Sequence, residues 1–274
     1  MSVFDGFRFR RGSSVIHKLD PRVKFFFVCV LFVITILFSN LLILVLLFFL
    51  PLPLIVLSGV KREWLRSLKG AALLAIFIFI MNFIFGYLYP GAFLDPPVDT
   101  FSEHFYILER AIALTLRFVV LVGSFSVFFL TTSPDHLGLA LEQSHIPYEF
   151  SFAFTTAVRF VPVLAEEAQS IMDAQKARGL ELERGNFIKR VKNYIPILIP
   201  LIVSAIRRSI ELAEAMESRG WGAKETRTNL YILKLTKSDG LVILSSLVML
   251  FFSIYVWIHI PLPSLTALIH RVYY

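Results

Sequence analysis

Residues 25–60 contain no charged side chain, and this uncharged run restricts the possible folds more than any other feature. The run is too long for one transmembrane helix, which needs about 20 apolar residues. The polar residues Ser39 and Asn40 interrupt it near its middle. We therefore predict a hairpin of two membrane-spanning helices, 23–39 and 41–59.

The remainder of the chain is also apolar. With 57% hydrophobic residues and 28 phenylalanines among 274 residues, it holds more apolar surface than a soluble domain of this size buries. Three further apolar runs, 70–89, 109–130 and 240–260, are long enough to cross a bilayer. The sequence therefore predicts an all-α, polytopic membrane protein with about five transmembrane helices, and Pro51 and Pro53 are expected to kink the second of them.

The charged residues between these runs predict the orientation. Segment 1–24 and the loop expected at 61–69 are rich in Lys and Arg, whereas the loop expected at 90–108 has acidic residues and no basic one. Because cytoplasmic loops carry the excess of Lys and Arg, we predict a multi-pass cell-membrane protein with a cytoplasmic amino terminus and an external carboxyl terminus. The net charge of +7 follows from these loops, so no nucleic-acid partner is expected.

A long charged segment separates the fourth predicted span from the last. Residues 131–239 hold about half of the basic side chains and most of the acidic ones, as is typical of a cytoplasmic segment. Two apolar runs within it, 150–165 and 194–206, are expected to lie along or dip into the inner leaflet. The predicted domains are thus a four-span membrane domain (1–130), a cytoplasmic domain (131–239) and a final span with an outside tail (240–274).

A seven-residue motif occurs twice in the charged segment, as two similar copies. It reads Asp-Ala-Gln-Lys-Ala-Arg-Gly at 173–179, called here the first tip, and Glu-Ala-Met-Glu-Ser-Arg-Gly at 214–220, the second tip. Each copy closes a run with helical apolar spacing, and arginine followed by glycine is typical of a helix end. The apolar faces predicted for the two helices comprise Leu164, Ala168, Ile171, Met172 and Gln175 in the first and Ile202, Ile206, Ile210, Ala213 and Met216 in the second.

The arginines of the two tips, Arg178 and Arg219, admit two interpretations. In the simpler one, each arginine caps its own helix and contributes about 0.3–1 kcal/mol. In the other, neighbouring small residues let another protein approach, and the guanidinium binds a carboxylate through two parallel hydrogen bonds. The second interpretation also explains why the flanking acid and small residues recur. It predicts docking to cytoplasmic subunits through Ala177, Arg178, Gly179, Ser218, Arg219 and Gly220.

Arg117 lies within the fourth predicted span, two turns deeper than Arg110. Burying an arginine there costs about 2.5–3.5 kcal/mol unless a partner or water is present. We consider two interpretations equally: a contact with another membrane subunit, or an internal hydrogen bond or snorkelled side chain.

The sequence lacks the motifs of several enzyme classes. It contains no Gly-x-x-x-x-Gly-Lys-Ser/Thr phosphate-binding loop and no Gly-x-Ser-x-Gly nucleophile elbow. Its six histidines are scattered without zinc-binding spacing, and its single cysteine, Cys29, excludes a disulfide framework. We therefore expect a protein that is not an enzyme and that binds no metal or cofactor itself.

Short motifs along most of the chain carry a family resemblance. They are His17-Lys18-Leu19-Asp20-Pro21-Arg22-Val23-Lys24, Ser133-Pro134-Asp135, Ile146-Pro147, Arg159-Phe160-Val161-Pro162 and the two tips. On these residues the chain resembles the transmembrane T component of energy-coupling factor (ECF) transporters, the family that includes the Q subunit of cobalt importers. The likeness is strongest over 131–228, and Ser218 departs from the alanine that the family often has there.

The resemblance implies a transport function. In that family, the T protein joins two ATP-binding-cassette (ABC) ATPases, which use ATP and Mg²⁺, to a small membrane subunit that captures a vitamin or metal ion. In that family, the corresponding Ala-Arg-Gly tips sit in grooves on the two ATPases. The likeness also implies coupling helices at 134–144, 163–179 and 201–220, the latter two crossing. Pro162, Pro196 and Pro200 are candidates for helix pivots or for simple helix starts.

Two other functions are alternatives. An ordinary ABC permease would also dock ATPases, but through one short helix per chain, and would bind the substrate itself. The doubled tip in a single chain argues against that function. A stand-alone secondary carrier would need no ATPase, and such carriers usually show inverted repeats among their spans.

Overall fold

The computed structural model describes residues 19–89, 100–144, 146–182, 186–223 and 235–260, together with Ser14, Ile16 and Leu233. These residues form α-helices and no strand, which confirms the predicted all-α fold. The helices are α1 (Pro21–Leu37), α2 (Leu41–Phe49), α3 (Leu52–Ser58), α4 (Lys61–Leu88), α5 (Thr100–Thr131), α6 (Pro134–Glu142), α7 (Tyr148–Ala177), α8 (Phe187–Ser218) and α9 (Lys237–His259).

The chain divides into two compact units. The first comprises residues 1–140 and 233–274, and the second comprises residues 141–232. The last helix, α9, therefore belongs to the same unit as the amino-terminal helices.

Four stretches of the described chain are long and apolar enough to cross a membrane: Leu41–Ser58, Lys61–Leu88, His104–Thr131 and Lys237–His259. They agree with the predicted polytopic membrane protein. Helix α1, the first of the five predicted spans, is not among them, because it has only 17 residues. At 1.5 Å per residue it is about 26 Å long, so the count of five spans stays a prediction.

The predicted break at Ser39 and Asn40 is confirmed. Helix α1 ends at Leu37, and Asn40 caps the start of α2 by accepting a hydrogen bond from the Leu42 N–H at 3.0 Å. The second arm of the hairpin is interrupted at Pro51, where α2 gives way to α3. Proline has no N–H to continue the helical hydrogen bonding, so the expected kink is a break between two short helices.

The basic loop expected at 61–69 is instead helical, and this expectation was wrong. Gly59 ends α3 with φ of 72°, and α4 begins two residues later at Lys61. The sharp turn at the glycine leaves no residues for a loop. Helix α5 likewise begins at Thr100, inside the acidic loop expected at 90–108, while residues 90–99 lie outside the described part of the chain.

Buried polar contacts join three helix ends in the first unit. The ammonium group of Lys24 donates to the Thr131 carbonyl oxygen at 3.0 Å, which links α1 to the end of α5. The Asp20 backbone N–H donates to the Asp239 carboxylate at 2.9 Å, which links α1 to the start of α9. All four residues, Asp20, Lys24, Thr131 and Asp239, are less than 9% exposed. Part of the first resemblance motif therefore has a structural role, since it holds α1, α5 and α9 together.

In the second unit, α7 and α8 run antiparallel. Their contacts begin beside the first tip, where Gln175 donates to the Pro196 carbonyl oxygen at 3.4 Å. They end beside the second tip, where the rings of Phe152 and Trp221 lie 4.4 Å apart. Helix α6 precedes this pair and covers most of the coupling helix expected at 134–144.

The two coupling helices expected at 163–179 and 201–220 are the carboxyl-terminal parts of longer helices. Helix α7 begins at Tyr148 and α8 at Phe187, so the apolar runs 150–165 and 194–206 continue into them without a break. Pro162, Pro196 and Pro200 consequently lie inside the helices, which excludes the alternative that they mark helix starts. Their role as pivots stays a prediction.

The apolar face predicted for the first of these helices packs in the structure, whereas in the apolar face predicted for the second only Met216 is half-buried. All five residues predicted for α7 are half-buried, in contrast to most of their neighbours. On α8, however, Ile202, Ile206 and Ile210 are 53–55% exposed. The face that packs on α7 is rotated around the helix and comprises Pro196, Ile197, Leu201, Ser204, Ala205, Arg208, Leu212 and Met216. Because α8 is apolar on more than one side, spacing alone did not identify the buried face.

Candidate docking site at the two helix tips

The first tip ends α7 with a hydrogen-bonding pattern known as the Schellman motif. Gly179 has φ of 89°, and its N–H donates to the Lys176 carbonyl oxygen at 2.9 Å. The next N–H, that of Leu180, donates to the Gln175 carbonyl oxygen at 3.0 Å. These bonds satisfy carbonyl groups that the helix end would leave free, and they require a residue that adopts positive φ easily.

The second tip repeats this geometry at the end of α8. Gly220 has φ of 72°, and its N–H donates to the Glu217 carbonyl oxygen at 2.9 Å. The Trp221 N–H donates to the Met216 carbonyl oxygen at 3.0 Å. The two copies of the seven-residue motif therefore have the same backbone structure. The prediction that each helix ends at its arginine is confirmed.

Arg178 and Arg219 directly follow the last residue of each helix as its C-cap, and both side chains are exposed. Neither guanidinium forms an ion pair or hydrogen bond with any residue in the described ranges. The neighbouring Ala177 and Ser218 are also exposed, and the Ser218 hydroxyl donates to the Ala215 carbonyl oxygen of its own helix at 3.0 Å. Each tip thus presents a cation beside a small side chain, on a helix end whose last turn is closed by the Schellman hydrogen bonds.

Contacts behind the tips hold each of them against the other helix. Behind the first tip, the Asn193 side chain donates to the Glu181 carbonyl oxygen at 2.7 Å. Behind the second, Trp221 packs on Phe152 and, at 5.3 Å between ring centroids, on Tyr148. Sequence reasoning missed these supporting residues. The signal available was the aromatic pair four residues apart, at 148 and 152, together with a tryptophan directly after the second glycine.

Arg117 lies in the first unit and belongs to a separate feature. Its Nη2 donates to the Phe38 carbonyl oxygen at 2.8 Å and to the Ser39 hydroxyl at 3.1 Å. Phe38 is the residue that caps the end of α1, so the arginine neutralises the carboxyl end of that helix. The structure thus provides the internal hydrogen bonds of the second interpretation, and a contact with another membrane subunit stays a prediction.

These observations define a class: a polytopic helical membrane protein in which two antiparallel helices end in matching, exposed arginine tips. Comparison with known proteins identifies the family to which this class belongs. Residues 12–230 match the CbiQ family, described as cobalt transport protein. The chain therefore belongs to the CbiQ family, which the transmembrane T components of ECF transporters share.

Curated relatives agree with this family. The energy-coupling factor transporter transmembrane protein EcfT of Clostridium kluyveri is 35% identical over 261 residues, covering 89% of this chain and 93% of the relative. The EcfT proteins of Bacillus subtilis and of Lactococcus lactis subsp. cremoris are each 34% identical over 251 residues. Those alignments cover 87% and 88% of this chain and 92% and 93% of the two relatives.

Proposed function

We propose that this protein is the scaffold of an ECF-type ABC importer and that its two tips dock two ABC ATPases. The observation that carries the proposal is the pair of exposed arginines, Arg178 and Arg219, on backbones of the same geometry. Membership of a family of transporter membrane proteins supports it.

The chemistry of each tip suits a carboxylate on a partner protein. The guanidinium group presents parallel N–H donors that match the two oxygens of a carboxylate, and this pairing is stronger than a neutral hydrogen bond. The positive φ at Gly179 and Gly220 ends the helix abruptly, so the arginine stands at an exposed corner. Two tips in one chain suit two copies of one ATPase or two related ATPases.

The mechanism that we propose transmits ATP-driven motion to the membrane. ATP binding closes the ATPase dimer and moves the two docking grooves, and the tips held in those grooves move with them. Helices α7 and α8 carry this motion to a small membrane subunit that captures a vitamin or metal ion, and that subunit then releases its cargo inward. Hydrolysis of ATP resets the assembly. The nucleotide and Mg²⁺ belong to the ATPases in this scheme, and the chain itself contributes no catalytic group.

The orientation that fits this function places the tips in the cytoplasm. The basic residues of 61–69 lie at the start of α4, and their positive charge favours a cytoplasmic position for this helix end and for the helix end next to it. The carboxyl terminus, which follows α9, would then lie outside. Arg117 and the outer ends of α1 and α5 would face the external leaflet.

The docking claim is tested by co-purification. The full chain, carrying Arg178→Ala together with Arg219→Ala, is co-expressed with the ATPases of its own host, and the membranes are solubilised in detergent. We expect the double variant to insert normally but to retain less than about a tenth of the ATPases, because each lost charged pair weakens binding by about 1.5–3 kcal/mol. Arg207→Ala is the matched control, since Arg207 is also an exposed arginine of α8. Retention of the ATPases by the double variant at the level of the control would refute the docking role.

A further inference from the structure

One ion pair joins α7 and α8 near the middle of their contact. Arg208 Nη2 donates to Glu167 Oε2 at 3.1 Å, and the Ser204 hydroxyl donates to the other oxygen of the same carboxylate. The Phe160 ring covers the guanidinium, with 6.0 Å from Arg208 Cζ to the ring centroid. The side chains of Arg208 and Glu167 are only 33% and 25% exposed. Among the described residues of α7 and α8, this is the only ion pair between the two helices.

The two partners occupy equivalent positions of the internal repeat. Arg208 follows Glu167 by 41 residues, which is also the spacing between Arg178 and Arg219. Each member of the ion pair therefore lies the same distance from its own tip, about 16 Å at 1.5 Å per residue. No proline lies between the ion pair and either tip, since Pro162, Pro196 and Pro200 all precede it in their helices.

The contacts on either side of the ion pair follow the same repeat. Asn193 supports the first tip and Phe152 supports the second, and these two residues are themselves equivalent. An antiparallel pair of helices with matching contacts at both ends has approximate two-fold symmetry, and a contact between equivalent residues lies on its axis. Besides the ion pair, seven pairs of equivalent positions within 152–175 and 193–216 are buried or half-buried in both helices, and five are half-buried in only one; the seven are 152 and 193, 155 and 196, 156 and 197, 160 and 201, 164 and 205, 171 and 212, and 175 and 216.

We propose that the Glu167–Arg208 ion pair is the fulcrum of a two-armed lever. Glu167 and Arg208 act as positioning residues: they fix how far apart the two tips are held, and the inference rests on the proposed docking function. Two arms of equal length place the tips about 33 Å apart along the helix direction. Because each arm is an uninterrupted helix, movement of one docked tip is transmitted through the ion pair to the other tip.

A charged pair serves this purpose better than an apolar contact at the same place. Apart from Ser204, the residues of α8 that pack on α7 on either side of Arg208 are apolar, and apolar contacts alone do not exclude a shifted register. A slide by one helical turn would separate Arg208 from Glu167 and leave two partly buried charges without partners. That penalty selects a single register, which is the best-attested use of buried ionic groups.

The test compares the partners with neighbours of the same residue type. Glu167→Gln and Arg208→Gln remove one charge each, and Glu167→Arg with Arg208→Glu exchanges them. Glu166→Gln and Arg207→Gln are the matched controls, because these adjacent residues are exposed and also equivalent in the repeat. Spin labels are attached to Lys176→Cys and Glu217→Cys in the full chain, in which Cys29→Ser removes the only native thiol. Both labelled positions are exposed and lie nine residues beyond the ion pair in each arm, about 27 Å apart along the helices.

Pulsed electron paramagnetic resonance then gives the distribution of distances between the labels, with the ATPases bound, before and after trapping with ATP and vanadate. In the controls we expect one narrow distance distribution, and we expect its mean distance to change on trapping. In each single-charge variant we expect at least a doubled width and a shift on trapping that falls by half or more. The charge exchange should restore most of the narrow distribution, which a loss of general stability would not allow.

Two results would overturn the fulcrum. One is a distance distribution in Glu167→Gln that is as narrow as in Glu166→Gln. The other is a distance distribution in the charge-exchanged variant that is as broad as in the single-charge variants. ATPase co-purification should be undiminished in all five variants when it is measured without the labelling cysteines, since both tips are then intact, and the labelled controls must retain the ATPases as well. Failure of the docking claim is recognised separately, because it would appear as retention of the ATPases by the Arg178→Ala, Arg219→Ala variant.

Discussion

Removal of the Asp239 side chain should destabilise the first unit. Asp239 is 1% exposed, and its carboxylate accepts three hydrogen bonds. The donors are the Asp20 N–H at 2.9 Å, the Thr236 N–H at 2.8 Å and the Thr236 hydroxyl at 2.6 Å. The substitution Asp239→Ala therefore removes the capping box of α9 and the link from α9 to α1 together.

The expected loss follows from the donors left behind. The hydroxyl of Thr236 can turn elsewhere, but the Asp20 N–H loses its acceptor in a buried place and the Thr236 N–H loses its acceptor in a partly buried one. An unsatisfied buried donor costs about 1–3 kcal/mol, so the free energy of unfolding should fall by about 3 kcal/mol. For a chain of this size, each kcal/mol lowers the melting temperature by about 2–4 °C, which gives a shift of roughly 6–12 °C.

The assay uses the only cysteine of the chain. Cys29 lies in α1 and is partly buried, so a thiol-reactive dye reports the opening of this helix during heating in detergent. Ser238→Ala is the matched control, because Ser238 is the exposed residue directly before Asp239. A melting temperature for Asp239→Ala within about 2 °C of the control would refute the reasoning, since it would mean a cost below about 1 kcal/mol.

Two further predictions concern the tips and Arg117. Gly179→Ala and Gly220→Ala should each strain a backbone of positive φ by about 1–2 kcal/mol and weaken ATPase co-purification. Gly70→Ala, in a helix with open space around it, should instead stabilise by about 0.5–1 kcal/mol, and equal behaviour of the three would contradict the Schellman geometry. Arg117→Ala should lower the melting temperature in the dye assay by leaving the Phe38 carbonyl unpaired, at about 1–3 kcal/mol; an unchanged melting temperature would show that this contact is not structural.

The sequence alone determined the features that depend on neighbouring residues. The end of each helix at arginine and glycine was predictable, because the Schellman motif joins residues no more than five positions apart. The break at Ser39 and Asn40 was predictable for the same reason, since Asn40 caps the helix that follows it. Apolar composition likewise determined the all-α membrane fold, because a bilayer admits chain segments only with their hydrogen bonds satisfied internally.

Only the tertiary structure decided which parts of distant helices meet. The apolar spacing of α8 did not identify its buried face, because exposed isoleucines lie on its other faces, and only the structure places Arg208 and its partner Glu167 on the face that packs on α7. Arg117 has its partners 78 and 79 residues away, and Asp20 has its partner 219 residues away. Local patterns carry no information on such pairs, because their energy exists only once packing has brought the two helices together.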